Sequence, residues 1–355
     1  MQIPPDRMQA ARLYEPGPVK IEEVATPSPG PGEVLVEVAA CGVCGSDVHI
    51  TVERSQTLTH YPRTPGHEAA GTVAALGEGV ELWSIGDRVS LWCGVVCGTC
   101  DDCVAGHENQ CRHFEVLGFD RDGAFAQYVI IPANNLFALP DQVPLDHAAI
   151  LTDAVSTPYH ALAVRGGLRA GESVAIFGVG GLGIHAVQLA RMLGAGRVFA
   201  VDVRDAALAR AREFGADTVI RADTERAARR IRDETAGRGV DLAVELIGVA
   251  DAVEEAGKCL AHSGRLVLVG IGACRPRLPR LEPFVAFSQS VLGSFGARKQ
   301  DLRDLIGHAA EGKLDLSRSI TAHHPLSDLN ACLTALHEKK RDTVRLIITP
   351  NGPLS

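Results

Sequence analysis

Between Ser173 and Gly270 the sequence alternates short apolar runs with amphipathic stretches, and this alternation restricts the possible folds more than any other feature. Ser173–Phe177 is an apolar run of strand length. It passes through Gly178-Val179-Gly180-Gly181-Leu182-Gly183 into Leu182–Leu193, where Leu182, Ala186, Leu189, Ala190 and Leu193 recur on one helical face. Arg197–Val201 reads as the next strand and Asp205–Phe214 as the next helix, with Asp205 as its N-cap. Thr224–Thr235 follows as a charged helix, Val240–Leu246 as a strand, Asp251–Ala261 as a helix and Gly264–Gly270 as a strand. Such repetition implies an α/β fold, a doubly wound parallel sheet with helices on both faces.

The flanking segments differ. Up to Pro140 the chain shows β-like runs (Glu33–Ala40, Ala69–Leu76, Asp87–Trp92, Gln127–Pro132) bounded by turns such as Pro29-Gly30-Pro31-Gly32, so a β-rich domain is expected there. After Phe295 come two helical stretches, Asp301–Glu311 and Ser327–Glu338, and an apolar strand, Thr343–Thr349. Periodicity does not assign this tail to either domain.

The glycine-rich turn sits in the strand–turn–helix context that a dinucleotide fingerprint requires. Gly178 permits the tight turn, Gly180 lets a pyrophosphate approach the backbone, and Gly183 allows helix and strand to pack closely. Beyond Gly181 and Leu182 the helix N-terminus offers free N–H groups to an anion. An ordinary glycine-rich turn is the alternative. Asp202, 24 residues after Gly178, favours the dinucleotide: a carboxylate at the end of the second strand accepts the ribose hydroxyls and repels a 2′-phosphate, so NAD is expected over NADP. Arg204, two residues on, is either an exposed loop residue or a softener of that preference.

The chain holds ten cysteines, seven of them before residue 112. A disulfide framework suits a small secreted domain, and this clustering points to metal instead. Cys97, Cys100, Cys103 and Cys111 place four thiolates within 15 residues, as a structural zinc site requires. Cys93 is a spare, either a pocket residue or an apolar filler. A second group is looser: Cys41, Cys44, Ser46, Asp47 and His49, then Gly66-His67-Glu68, then Asp153. Spacing alone does not join these pieces, and Cys41 with Cys44 could equally be a redox pair, although the βαβ context for one is missing.

Composition excludes several partners. Thirty-five Lys and Arg against 43 Asp and Glu leave a net charge of −8, which argues against nucleic acid. No apolar run approaches the ~18 residues of a membrane span. The N-terminus lacks the apolar core of a secretory signal, so a cytoplasmic protein is expected. A length of 355 residues suggests two domains.

In combination, Cys41–His49, Gly66–Gly71, the four-cysteine lobe, residues 153–159, Gly178–Gly183 and Asp202 resemble the zinc-dependent medium-chain alcohol dehydrogenases over essentially the whole chain. The resemblance implies a β-rich, GroES-like catalytic domain over residues 1–155, a Rossmann NAD-binding domain over 156–296, and a tail, 297–355, returning to the catalytic domain. It implies two Zn²⁺ per chain, one structural at the four-cysteine lobe and one catalytic. Cys44 and His67 resemble catalytic ligands, with Asp153 favoured over Glu68 as the third. Asp47 resembles the carboxylate that orients the ligand histidine, and Cys41 a structural residue. Ser46 and His49 match a proton relay, the alternative for His49 being a solvated surface residue.

For the cofactor, Thr157 resembles a residue beside the nicotinamide, and Val269 and Ile271 stand where backbone groups bind its carboxamide. Arg345 resembles an arginine that reaches the pyrophosphate. Trp92 and Cys93 are candidates for the pocket wall. Residues 50–61 face the substrate in this family, and Arg54 there allows a polar or acidic substrate. The compact segment between Cys111 and Asp153 suggests a homo-oligomer, a tetramer rather than a dimer. The expected activity is hydride transfer between an alcohol or polyol and NAD⁺, giving an aldehyde or ketone. The rivals are a specialised substrate (an aldehyde or hydroxyacyl thioester) and a non-catalytic dinucleotide-binding scaffold, the latter disfavoured by the complete set Cys44, His67, Asp153, Ser46 and His49.

Overall fold

Six parallel strands form the sheet of the α/β unit, in the order Thr218–Arg221, Arg197–Asp202, Ser173–Phe177, Val240–Glu245, Leu260–Leu268, Ser290–Gly293. The computed structural model describes residues 3–277, 281–338 and 343–354. It divides the chain into Val155–Ala297, which carries this sheet, and Met1–Ala154 with Arg298–Ser355. Strand order reverses at Ser173–Phe177: Phe177 pairs with Val201 on one side and Glu245 on the other. A crevice therefore opens at the carboxyl ends of these strands, where ligands bind in such sheets. Phe177, Phe199, Val201, Ile220, Val240 and Leu266 fill the sheet core. Helix Gly183–Met192 covers it with Ile184, Ala186, Val187, Leu189 and Ala190.

Three local readings change. Asp205 is the first helical residue, and Arg204 is the cap position. The helix expected to reach Ala261 is Ala250–Lys258, because Leu260 pairs with Val240 and begins a strand. Burial of Leu260 and Ala261 in the sheet overrides their helical propensity. Two four-residue edge strands, Thr218–Arg221 and Ser290–Gly293, are too short to stand out in the sequence.

The other unit is built on a seven-stranded sheet whose main path is Ile320–His324, Arg345–Ile348, Glu33–Gly42, Glu68–Leu76, Arg88–Leu91, Leu136–Ala138, with Tyr128–Pro132 also pairing with Glu33–Gly42. Ile348 lies opposite Cys41, so the tail strand is an integral member of this N-terminal sheet. Val36, Val38, Val48, Ile50, Phe125 and Leu346 contribute to its core. Among the described residues no helix is long and apolar enough to cross a membrane.

Candidate metal centres and dinucleotide site

Strand Glu33–Gly42 and its antiparallel neighbour Glu68–Leu76 end together, with Gly42 opposite Glu68. That register brings Cys44, two residues past one strand, beside His67, one residue before the other. A Cβ on Gly42 would lie 2.2 Å from Glu68 Oε2, so any side chain there would displace the Glu68 carboxylate. Gly66 has φ +100°, and a Cβ would meet the Phe125 backbone nitrogen at 2.7 Å. Cys44 occupies the N-cap of helix Gly45–Thr51, and its N–H donates to Asp47 Oδ2 at 2.9 Å. Asp153 arrives from far along the chain on a π-helical turn, Leu151–Val155, an irregularity frequent at functional sites.

Cys44 Sγ lies 3.4 Å and His67 Nε2 3.6 Å from Asp153 Oδ2. A tetrahedral zinc with ligands at about 2.0–2.3 Å has ligand–ligand edges of about 3.3–3.8 Å, so the spacing fits. Glu68 completes the group: one donor atom from each of Cys44, His67, Glu68 and Asp153 lies within 4.8 Å of the others. Burial, reinforced by Asp153 and Glu68, pushes the Cys44 thiol above its ordinary range. Burial likewise raises Glu68 to about 7 against the pull of Arg345. Burial opposes the charged form of His67, but Asp47 and Asp153 outweigh it and hold the imidazole well above its usual range. A buried thiol, imidazole and carboxylate beside the partly buried Asp153 are thus costly together without a cation, and their donor types suit zinc. Asp47 Oδ1 is 3.5 Å from His67 Nδ1, and both atoms are buried without a hydrogen-bond partner among the described residues. That leaves Asp47 as the carboxylate facing the outer nitrogen of the histidine.

Arg345 points inward, and its Nε and Nη2 have no hydrogen-bond partner among the described residues. It was expected at a pyrophosphate, yet its side chain is 2% exposed and Nη1 donates to Glu68 Oε1 at 2.9 Å and to the Val43 carbonyl at 3.2 Å. The strand Arg345–Ile348 carries it into the interior, so its cation neutralises Glu68. Trp92 is also buried and stacks edge-on with Phe114, a core role rather than a pocket wall. Cys93 lies half-buried, with its thiol pushed up to about 12 by burial and by the Asp153 charge. Ser46 Oγ is 3.8 Å from Cys44 Sγ. His49 Nδ1 is 2.7 Å from Glu53 Oε2. The Arg54 guanidinium runs along Gly17.

In the cysteine lobe the Sγ atoms of Cys97 and Cys111 are 3.6 Å apart, those of Cys100 and Cys111 3.8 Å, and those of Cys97 and Cys103 4.0 Å. A Zn(Cys)₄ tetrahedron has edges of about 3.8 Å. The Cys97 thiol is lowered to about 6 by the backbone N–H groups of Thr99 and Cys100. Burial and the neighbouring thiols push Cys103 up to about 12, so it is the sulfur spacing that suits a structural ion here.

The dinucleotide turn shows a division among its glycines. Gly178 has φ +87° and a Cβ would strike Ile247; a Cβ on Gly183 would lie 1.8 Å from the Gly178 carbonyl oxygen. Gly180 is different, because the nearest atom to a Cβ there is Arg204 Nη2 at 3.4 Å. The fold does not demand glycine at 180, and the space above it suits an approaching phosphate. Gly181 and Leu182 complete the turn, both half-buried. Asp202 is buried and accepts from the N–H groups of Val179, Val203 and Arg204, while Arg204 Nε lies 3.2 Å from it. Thr157 is buried on the helix Ser156–Tyr159. The Val269 N–H is taken by the Glu245 carbonyl at 2.9 Å, and Ile271 is 64% exposed.

Glu245 was not singled out by the sequence. It ends strand Val240–Glu245 fully buried, and its Oε1 accepts from Ile247 at 2.8 Å and Gly248 at 2.9 Å. Gly270 and Gly272 pack so closely on Gly248 that a Cβ on either would lie 2.1 Å or less from its backbone. The signal for this arrangement is the glycine spacing after two consecutive strands, at Gly248, Gly270 and Gly272.

Comparisons with known proteins match both parts of the chain. Residues 30–141 match the alcohol dehydrogenase GroES-like domain, and residues 181–311 match the zinc-binding dehydrogenase domain. An alcohol dehydrogenase of Geobacillus stearothermophilus is 35% identical over 88% of this chain and 91% of its own length. Sorbitol dehydrogenase of Bacillus subtilis is 31% identical over 98% of each chain. The structure of acetophenone reductase from Geotrichum candidum in complex with NAD superposes with a TM-score of 0.84 at 29% identity, covering 98% of each chain. The chain belongs to the zinc-dependent medium-chain alcohol dehydrogenase family, oxidoreductases built from a GroES-like domain and a Rossmann-type nucleotide-binding domain.

Proposed function

We propose that the chain oxidises an alcohol or polyol to the aldehyde or ketone with NAD⁺ as hydride acceptor, using Cys44, His67 and Asp153 as the ligands of the catalytic zinc. The observation that carries this reading is the Cys–His–Asp group at tetrahedral spacing, its thiol and imidazole buried and its carboxylate partly so. Support for Asp153 over Glu68 comes from Arg345, which donates to Glu68 Oε1 and so offsets part of its charge. Zinc bound there supplies the acidity that lets a hydroxyl lose its proton near neutral pH, and the dinucleotide accepts the hydride.

The chain's own residues do the rest. Asp47 holds His67 through its outer nitrogen. Ser46, beside Cys44, would take the substrate proton, and His49, which is partly exposed, would hand it on to water. Gly178 to Gly183 receive the pyrophosphate, and Asp202 reads the adenosine ribose. Arg204 sits against both Asp202 and the turn, so the preference for NAD is moderate. Thr157, with the backbone at Val269 and Ile271, lines the nicotinamide end. Cys97, Cys100, Cys103 and Cys111 hold the second zinc. A cytoplasmic setting is supported by the ten cysteines, none of which forms a disulfide. We favour a homotetramer over a dimer from the compact segment between Cys111 and Asp153.

A specialised substrate is the second reading, motivated by the polar run from Ile50 to Tyr61. A panel of simple alcohols, polyols, hydroxy acids and hydroxyacyl thioesters, followed at 340 nm with NAD⁺ and with NADP⁺, decides between them. Faster turnover of neutral alcohols or polyols with NAD⁺ supports the first. Turnover confined to the acids or thioesters overturns it.

A further inference from the structure

Glu53 lies four residues beyond His49, just past the end of helix Gly45–Thr51, and no role in metal or cofactor binding falls to it. Its two carboxylate oxygens are engaged by imidazoles from different elements. Oε2 is 2.7 Å from His49 Nδ1, and Oε1 is 3.3 Å from Nδ1 of His337, the last residue of helix Leu329–His337. The Ser55 hydroxyl donates to Oε2 at 3.4 Å. Among the described residues, the titratable groups facing Glu53 are thus His49 from its own segment and His337 from the tail helix.

The side chains of His49 and Glu53 are 35% and 34% exposed, so solvent screens their attraction and the contact adds little to stability. Its consequence is chemical. The hydrogen bond from His49, set against partial burial and assisted by the His49 and His337 charges, holds the Glu53 carboxyl below its ordinary range. Glu53 is therefore ionised at neutral pH, and an ionised carboxylate only accepts hydrogen bonds. His49 Nδ1 must carry the hydrogen, which leaves the lone pair of the neutral ring on Nε2.

We infer that Glu53, braced by His337, is a positioning residue that fixes His49 as the Nδ1–H tautomer, so that Nε2 is the atom that takes the relayed proton. The inference rests on the relay role given to His49 above. In the forward direction Nε2 binds the proton, the imidazolium keeps its Nδ1–H on Glu53, and the Nε2 proton then passes to water to restore the neutral ring. No other bond is made or broken.

Enzyme labelled with ¹⁵N-histidine and loaded with zinc and NAD⁺ tests this directly, with His49→Gln identifying the His49 signals. The expected spectrum of the neutral ring shows a protonated Nδ1 and a lone-pair Nε2 for His49, and Glu53→Ala moves the ring to a mixture of tautomers. Because the relay as a whole is worth about 10²–10⁴ in rate, the variant should lose about tenfold in kcat while substrate KM and NADH Kd stay within about twofold. His337→Ala should give a smaller loss of the same kind. Glu53→Asp should recover part of both the tautomer and the rate. Nε2–H as the dominant form in the wild-type spectrum, or a Glu53→Ala enzyme with unchanged tautomer and kcat, overturns the inference. A His49→Gln enzyme at full speed would instead remove the relay itself, which separates the two failures.

Discussion

Arg345→Met removes a cation but retains an unbranched side chain of similar reach, so it isolates the charge at the base of the metal centre. Arg345 is 2% and Glu68 0% exposed, and their contact at 2.9 Å is the nearest compensation for the Glu68 charge. The substitution leaves Glu68 Oε1 without its donor, while Oε2 already has no hydrogen-bond partner among the described residues. It also strips the Val43 carbonyl of a donor. Breaking a buried pair from one side costs about 3–5 kcal/mol. At about 2–4 °C per kcal/mol for a unit of this size, the GroES-like unit should melt roughly 6–20 °C lower. Adding Glu68→Gln removes the stranded charge and should restore most of the loss, giving a coupling energy of at least about 1 kcal/mol in the double-mutant cycle. Scanning calorimetry of the four proteins measures the shifts, and NADH fluorescence titration provides the contrast. If the buried pair added nothing to the unit and the cation served only the cofactor, Arg345→Met would melt like wild type and bind NADH about tenfold more weakly, equivalent to about 1.4 kcal/mol. That pair of results would refute the reasoning.

The glycines of the dinucleotide turn should separate in the same way. Gly183→Ala places a Cβ where the Gly178 carbonyl oxygen lies 1.8 Å away, so both thermal stability and NADH binding should fall; Gly180→Ala meets only Arg204 at 3.4 Å, so NADH affinity should drop about tenfold or more with the melting temperature unchanged. Equal losses of stability in the two variants would show that Gly180 serves the fold. Burial raises the Glu245 carboxyl above its ordinary 4.5, against the opposing N–H groups of Gly248 and Ile247. The unfolded chain therefore gives up this proton at lower pH than the folded one, so the group costs stability as pH rises through and beyond 4.5. Glu245→Gln keeps an acceptor for both N–H groups and removes that cost, and its stability relative to wild type, measured by urea unfolding, should increase from pH 4 to pH 7; a constant difference would count against a shifted carboxyl.

What could be read from the sequence follows from how local each signal is. The turn Gly178–Gly183 carries its strand and helix with it, and four cysteines within 15 residues need no distant partner. Cys44 and Asp153 are separated by 109 positions, and Glu68 and Arg345 by 277, so spacing cannot join either pair. The first was reached through family resemblance. The second was not reached at all, because resemblance gave Arg345 a phosphate partner and said nothing of a contact with Glu68. Edge strands of four residues carry too little pattern to register. The switch from helix to strand at Cys259–Leu260 is decided by pairing with Val240, which no local preference encodes. Glu53 and His337 became informative only when the fold brought a tail helix to the first helix.

The account stands on a catalytic zinc held by Cys44, His67 and Asp153, separate from the ion of the cysteine lobe and from the dinucleotide site. Zinc content per chain, measured together with turnover in wild type and Cys44→Ala, tests it most directly. The expected result is two zincs in wild type, one in the variant, no turnover in the variant, and NADH affinity unchanged. A Cys44→Ala protein that keeps both zincs and oxidises the same alcohol at the wild-type rate would contradict the account.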